Sequence, residues 1–189
     1  MANFISREEA QRIIERALSF SRADQARVNL NSSETGNTRF AQNQMSTSGD
    51  ATNATLSVTS ALGTKVASAT TNIFTDDALR RVVETSEQLA RLVPENEEYM
   101  GELGAQTYPQ SEAYFDTTGE LAPERRANAI AAVTEQAAAR NLISTGFLIH
   151  EAASTAVGTS NGLFAYATRT RVNFTTTVRT ADGTGSGWA

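Results

Sequence analysis

Hydrophobic and polar residues alternate along the last part of the chain in a pattern that predicts a long β-strand. Successive side chains of a strand face opposite sides, and the run from Leu163 follows that period of two. Asn161-Gly162 precedes the run and predicts a type I′ hairpin turn, which needs positive φ at both central residues. One face is predicted to join a core and to carry Phe164, Tyr166, Val172, Phe174 and Val178. The other face is predicted to be exposed to solvent and to carry Arg169, Arg171, Asn173, Thr175 and Arg179.

Three other segments place apolar residues at helical spacing and carry recognisable end signals. Ser6 and Glu9 form a capping box ahead of the first apolar stripe. Thr75 is the predicted N-cap of a second helix, which stops before Pro94. The third helix begins with proline at its first position and covers 123–141. All three are amphipathic, so each is expected to pack by one face.

Between the first two helices the period falls to two, which predicts a meander of four strands. A first hairpin is expected to turn over 34–37, and a polar stretch at 44–53 leads to a second hairpin that turns at 62–64. In the second half, strands are predicted at 143–153 and 155–159, ahead of the long strand.

The order of elements predicts an α+β fold with antiparallel or mixed β-sheets, three amphipathic helices and two loosely similar α+β halves. Residues 1–94 are expected to form a helix, the meander and a helix, and 95–121 an irregular connector. Residues 122–181 are expected to form a helix plus antiparallel strands. The glycine-rich residues 182–189 are predicted to be a flexible link to a further, C-terminal domain.

The composition of the chain argues against several classes of function. The 189 residues carry a formal charge of −5 with a sequence pI near 5.0, which argues against a nucleic-acid binder that works by neutralising phosphates. The chain has no cysteine, no basic leader followed by an apolar run and no stretch with the roughly 20 apolar residues of a membrane span. A cytoplasmic protein without nucleic-acid or membrane partners is therefore expected.

No catalytic or metal-binding constellation is evident. His150-Glu151 opens a zinc-peptidase motif, but Ser154 and Thr155 stand where the second histidine of an HExxH or HExxxH motif belongs. The glycine-rich segment 183–187 lacks the pattern of a phosphate-binding loop. We therefore predict no catalytic residue, no metal ligand and no cofactor within this chain.

Arginines on the predicted sheet face are the remaining candidates for binding. Arg169 and Arg171, with Arg39 and Asn43 from the earlier strands, are candidate peptide-binding residues, because guanidinium groups pair with carboxylates. The alternative is an ordinary solvated sheet face.

Several motifs occur in an order that resembles the N-terminal region of the TldD/PmbA family, also known as modulators of DNA gyrase. The strongest are the hairpin sequence TRFAQNQ at 38–44 and the block from NGLFAY at 161–166 to VRTADGTGSG at 178–187. Between them lie LARLVP at 89–94, Tyr108-Pro109 and LAPERR at 121–126. The resemblance covers nearly the whole chain.

The resemblance implies a cytoplasmic metallopeptidase that forms a homodimer, or a heterodimer with a related subunit, and degrades or trims unfolded peptides in an enclosed site. In catalytic members an HExxxH motif and a cysteine of the C-terminal region hold zinc, whereas other members lack the motif and serve as the partner subunit. His150-Glu151 does not match that motif, so the resemblance assigns no zinc ligand here.

The sequence therefore favours a noncatalytic N-terminal domain of a TldD/PmbA-like metallopeptidase that contributes to the substrate chamber and to subunit contacts. The alternative is a stand-alone β-rich binding or assembly module with no enzymatic parent.

Overall fold

The computed structural model describes residues 4–109 and 112–189. The helices are α1 (Arg7–Leu18), α2 (Asp76–Leu92), α3 (Asp116–Gly119) and α4 (Pro123–Ala138). The strands are β1 (Gln25–Ala41), β2 (Gln44–Leu62), β3 (Lys65–Thr71), β4 (Leu142–Thr159), β5 (Phe164–Thr180) and β6 (Ser186–Trp188). The three predicted amphipathic helices are confirmed as α1, α2 and α4.

A single six-stranded sheet, in the order β3-β2-β1-β4-β5-β6, runs through the chain. Every neighbouring pair is antiparallel, which confirms the α+β class. The first half of the chain supplies β1 to β3 and the second half supplies β4 to β6. The halves join where β1 pairs with β4, from Arg27 opposite Thr159 to Phe40 opposite Gly146.

The helices α1, α2 and α4 pack on one face of the sheet and bury two apolar clusters there. The first cluster lies under α1 and α2, and the second, around Phe40, Ile130 and Leu148, lies under α4. Phe174 stacks on Phe40 with ring centroids 5.9 Å apart. Buried residues of the first cluster are Ala10, Ile14, Ala17, Val28, Leu30, Leu56, Val58, Leu79, Val82, Val83 and Ala156.

Helix ends follow the predicted signals. The Ser6 side chain accepts a hydrogen bond from the Glu9 amide at 3.2 Å, as a capping box requires. Thr75 is the N-cap of α2, and Pro123 opens α4. Among the described residues, no helix combines the length and the hydropathy needed to cross a membrane.

The turn predicted at 34–37 is wrong, because β1 continues through it as one 17-residue strand. The chain reverses instead at Gln42 and Asn43, which both have positive φ. The predicted four-strand meander is therefore a meander of three strands. Gly36 suggested a turn, but it serves another purpose: a Cβ there would overlap the side chains of Arg126 and His150.

Other boundaries also differ from prediction. The strands expected at 143–153 and 155–159 form the single strand β4. At Asn161-Gly162 only Gly162 has positive φ, so the type I′ turn is wrong. The Gly162 amide donates to Thr159 and the Thr159 amide to Leu163, the pattern of a turn followed by a glycine bulge.

The segment predicted as a flexible link is partly ordered. Residues Ser186–Trp188 pair with β5 as β6, and Asp182 accepts hydrogen bonds from Thr180 and Thr184 in the turn before it. The expected connector 95–121 contains α3, and its residues 110 and 111 lie outside the described ranges, as do residues 1–3 of the first predicted unit. The division into units stays a prediction.

Replacing Gly36 with alanine is expected to destabilise the protein by about 2–4 kcal/mol, because a methyl group there displaces a buried guanidinium and a buried imidazole. Gly49→Ala, one position before Asp50, is the matched control, since a Cβ at Gly49 meets no atom within 4 Å. Denaturant unfolding of both variants checks the difference. Equal unfolding free energies for the two variants would refute this account of Gly36.

Candidate functional site

The face of the sheet opposite the helices is called here the open face, and the strand register defines which side chains it carries. In the part of the chain that the structure describes, all three long helices pack on the other face. Paired strand residues share a face, so the register decides which side chains lie on the open face. The connector contacts it at one end, where Arg27 lies 3.4 Å from Glu102.

The candidate arginines lie on this open face, as the alternation predicted. Arg39 on β1 stands opposite Phe147, which stands opposite Thr175 of β5. Four residues back along β1, Thr35 stands opposite Glu151, which stands opposite Arg171. Arg169 and Arg171 therefore lie together on β5. Arg39 lies on β1, two strands away, and is displaced from Arg171 by about 13 Å along the strand direction.

Basic residues are concentrated on the strands of the open face. The strand residues of the open face include five arginines and one acidic residue, Glu151. The arginines are Arg27, Arg39, Arg169, Arg171 and Arg179. Together with Glu151 they carry a formal charge of +4, while the other 11 basic and 20 acidic residues, which include Glu102 beside Arg27, carry −9. An acidic protein therefore presents one basic surface.

Two of these five arginines have a carboxylate partner among the described residues, which is Glu102 for Arg27 and Glu151 for Arg169. The Arg169 guanidinium lies 3.1 Å from Glu151, and both side chains are partly exposed, which makes the pair weak. Within the described residues, no carboxylate oxygen lies within 4 Å of a nitrogen of Arg39, Arg171 or Arg179. Apolar side chains lie near these arginines. Phe147 is 38% exposed, and Trp188 of β6, which stands opposite Thr177 of β5, is 76% exposed.

The fourth candidate, Asn43, is placed differently, in the turn between β1 and β2. Its side-chain amide donates to the Leu142 carbonyl at 2.8 Å, and its side-chain oxygen accepts from the amide and hydroxyl of Ser144, each at 2.7 Å. These contacts tie the turn to β4. The structure does not bring Asn43 together with the arginines; its role as a peptide-binding residue stays a prediction.

The outer edge of β2 is open over more than half of its length. Only Leu56–Leu62 of β2 pairs with β3, so residues 44–55 have no partner strand on that side within the described residues. This edge contains no proline, lysine or arginine, the residues that usually protect sheet edges from further pairing. Its residues from Gln44 to Asn53 are all exposed. Unpaired backbone groups of this kind are the groups that β-strand addition uses.

Beneath α4, on the helix-covered face, lies a polar cluster that the sequence patterns did not reveal; Arg126 and His150 are buried in it, while the Asp50 side chain is 53% exposed. The Arg126 side chain is almost fully buried, and its Nη2 atom lies 2.8 Å from Asp50 Oδ1. Its Nη1 atom lies 3.4 Å from His150 Nδ1 and 3.5 Å from the Leu121 carbonyl. Asp50, Gly36 and His150 form one row across β2, β1 and β4, and the guanidinium rests over Gly36.

The surroundings of His150 favour its neutral form. Burial lowers its pKa below the ordinary 6.5, and the adjacent Arg126 lowers it further, while Asp50, the Gly36 backbone and Glu34 act in the opposite direction. Because a guanidinium only donates, His150 Nδ1 accepts the hydrogen bond from Arg126. A cleft of about 320 Å³ lies beside the cluster, lined also by Glu34 and Glu120.

The cluster does not resemble a metal centre. Across residues 4–109 and 112–189, no group of three or more His, Cys, Asp or Glu side chains is placed to hold a metal ion. His150 lies on a strand and its ring nitrogen faces a guanidinium, so the residues present do not fit the zinc site of a metallopeptidase. No local pattern marked Arg126 for burial, because its partners lie on three strands that are distant in sequence.

Two family models match the chain in consecutive order. The model described as PmbA/TldA metallopeptidase domain 1 matches residues 26–90, and the model described as PmbA/TldA metallopeptidase central domain matches residues 116–189. No curated protein sequence matches the chain. The two matched regions meet at the β1–β4 pairing, so they share one sheet.

Solved structures of similar proteins show the same fold. A protein described as a modulator of DNA gyrase from Bacteroides thetaiotaomicron has a TM-score of 0.80 and 17% identity over 98% of this chain. TldE from Thermococcus kodakarensis has a TM-score of 0.75 and 13% identity over 93% of this chain. A described gyrase modulator from Thermotoga maritima has a TM-score of 0.75 and 12% identity over 94% of this chain. The chain spans 40–44% of the length of these proteins.

Stability is expected to fall on acidification because of His150. Between the lowered pKa of the folded state and 6.5, the unfolded chain binds a proton that the folded chain does not, so unfolding becomes easier as the pH drops below 6.5. The contribution of one such group is at most about 1.4 kcal/mol per pH unit. His150→Gln keeps a hydrogen-bond acceptor for Arg126 and removes the titration.

Denaturant unfolding at about pH 7.5 and about pH 5.5 measures this effect. The native protein should lose more stability between the two pH values than His150→Gln does. Equal losses would show that His150 does not remain neutral in the folded state.

Proposed function

Because the chain belongs to the PmbA/TldD metallopeptidase family, we propose that it is the noncatalytic N-terminal part of a metallopeptidase that degrades or processes unfolded peptides. In this proposal the chain contributes to the substrate chamber and to subunit contacts. The protein acts in the cytoplasm as a homodimer, or as a heterodimer with a related subunit. The consecutive match of the two family models is the observation that carries the proposal.

The surroundings of His150 support the noncatalytic role, because its Nδ1 atom faces the cationic Arg126 guanidinium, which does not suit a zinc ligand. The zinc that peptide hydrolysis requires in this proposal is held by another region of the same protein or by a partner subunit. His150 and its neighbours maintain the packing of α4 on the sheet, since Arg126 of α4 contacts Asp50 on β2 and His150 on β4. This chain then supplies surface for peptide rather than reacting groups.

Two features of the sheet support contributions to a chamber and to subunit contacts. The open face has no helix over it in the described residues, so its side chains are available to a peptide. The open edge of β2 offers backbone donors and acceptors over residues 44–55. Backbone pairing along such an edge binds extended segments with little demand on their sequence, which suits either an unfolded substrate or a strand of a second subunit.

The proposal is tested on the full-length protein. Bound zinc, chelator-sensitive cleavage of reduced and carboxymethylated casein, and dimers in analytical ultracentrifugation are expected. His150→Gln should retain zinc and cleavage at neutral pH, since His150 takes no part in the chemistry. If the protein lacks zinc, it is expected to restore cleavage when mixed with a related zinc-containing subunit.

A monomer without zinc that neither cleaves casein nor assists a related subunit would overturn the proposal. Loss of cleavage in His150→Gln with zinc retained and the fold intact would overturn the noncatalytic assignment.

A further inference from the structure

The charge of the open face selects a class of ligand. We infer that the open face binds extended polypeptide segments in which acidic residues occupy alternate positions. This inference rests on the proposed function, because it names the peptide class that the same surface takes. The ligand is an unfolded acidic peptide rather than a folded protein or a nucleic acid.

Charge complementarity is the first argument. The strand residues of the open face carry a formal +4 in a chain whose net charge is −5. Within the described residues Arg39, Arg171 and Arg179 have no carboxylate partner, so their guanidinium groups are available to an incoming carboxylate. A basic peptide would meet repulsion on this surface.

Spacing is the second argument. Arg169 and Arg171 lie two residues apart on β5 and point to the same side, which separates them by about 6.8 Å along the strand. Carboxylates at alternate positions of an extended peptide have the same repeat, so consecutive acidic side chains can reach consecutive arginines. A peptide with paired acidic residues followed by paired neutral residues presents, on either face, carboxylates about 13.6 Å apart and misses this match.

Glu151 is the internal competitor for the same guanidinium groups. It lies 3.1 Å from Arg169 and stands opposite Arg171 in the register. The Arg169 side chain is 54% exposed, so the pair contributes little stability and an external carboxylate can replace Glu151. Removing the Glu151 charge should therefore strengthen binding, which a purely structural role for this pair does not predict.

Apolar side chains beside the arginines add hydrophobic contacts to the proposed peptide-binding surface. Phe147 lies directly between Arg39 and Thr175, and Ile149 lies two residues further along β4 on the same face. These groups give the neutral side chains or aliphatic stems of a bound peptide an apolar contact. Their positions place the peptide across β4, between Arg39 and the two arginines of β5.

The experiment measures binding of fluorescent peptides to the full-length protein by anisotropy. The probes are a Glu-Thr repeat, a Glu-Glu-Thr-Thr repeat of the same length and composition, a Lys-Thr repeat and a single-stranded oligothymidine. The Glu-Thr repeat should bind most tightly, and its affinity should fall with added salt. The Glu-Glu-Thr-Thr repeat should bind several-fold more weakly although its net charge is identical.

Variants identify the surface. Arg171→Gln and Arg39→Gln should each weaken binding of the Glu-Thr repeat about two- to fivefold, and the double variant about tenfold. Glu151→Gln should tighten binding by a similar factor. Arg125→Gln, an exposed arginine of α4 on the helix side, is the matched control and should leave the affinity unchanged. Circular dichroism and unfolding curves verify that each variant is folded.

Three outcomes would overturn the inference: equal affinity for the two Glu-Thr arrangements, unchanged affinity in the arginine variants, or tighter binding of the oligothymidine than of any peptide. If the protein cleaves neutral unfolded peptides without preferring acidic ones, the inference fails and the proposed function stands. If the Glu-Thr repeat binds as described but the protein has neither zinc nor cleavage activity, the inference stands and the proposed function fails.

Discussion

The buried guanidinium of Arg126 is the interaction on which the arrangement of the two halves depends. It lies over Gly36 at the centre of the sheet, pairs with Asp50 on one neighbouring strand and contacts His150 on the other. A buried charge is costly unless it is paired, so α4 can pack on the sheet only where those partners meet. The β1–β4 pairing joins the two halves, and the packing of α4 depends on that pairing. The two features therefore stabilise each other.

This arrangement also explains why, among the described residues, no helix packs on the other face of the sheet. With α1, α2 and α4 on one side, both apolar clusters are buried there, and the opposite side chains are free to be polar. Those side chains are mainly Asn, Ser, Thr and Arg, and their charge is opposite to that of the whole chain. A sheet with one covered and one basic face is a suitable wall for a space that holds peptides.

Local patterns predicted the elements better than they predicted their connections. The alternation from Phe164 to Arg179 assigned the named side chains of β5 to the correct faces, because a period of two follows directly from strand geometry. Val172, on the predicted core face, is nevertheless 52% exposed. The turn prediction failed at Gly36. In the sequence, a glycine that leaves room for neighbouring side chains cannot be distinguished from a glycine that adopts a positive φ in a turn. Arg126, Asp50 and His150 have no shared local signal, because strand pairing over about a hundred residues brings them together. The arginine face was predictable from the sequence; its lack of a covering helix was not.

Photo-cross-linking with mass spectrometry tests the central claim most directly, since it reports where a peptide lies on the full-length protein. A Glu-Thr repeat with a photoreactive residue at its centre should attach to the row formed by Asn37, Ile149 and Asn173, which lies between Arg39 and Arg171 on the open face. Cross-links confined to α1, α2 and α4, with none on that row, would contradict the account of the open face as the peptide-binding surface.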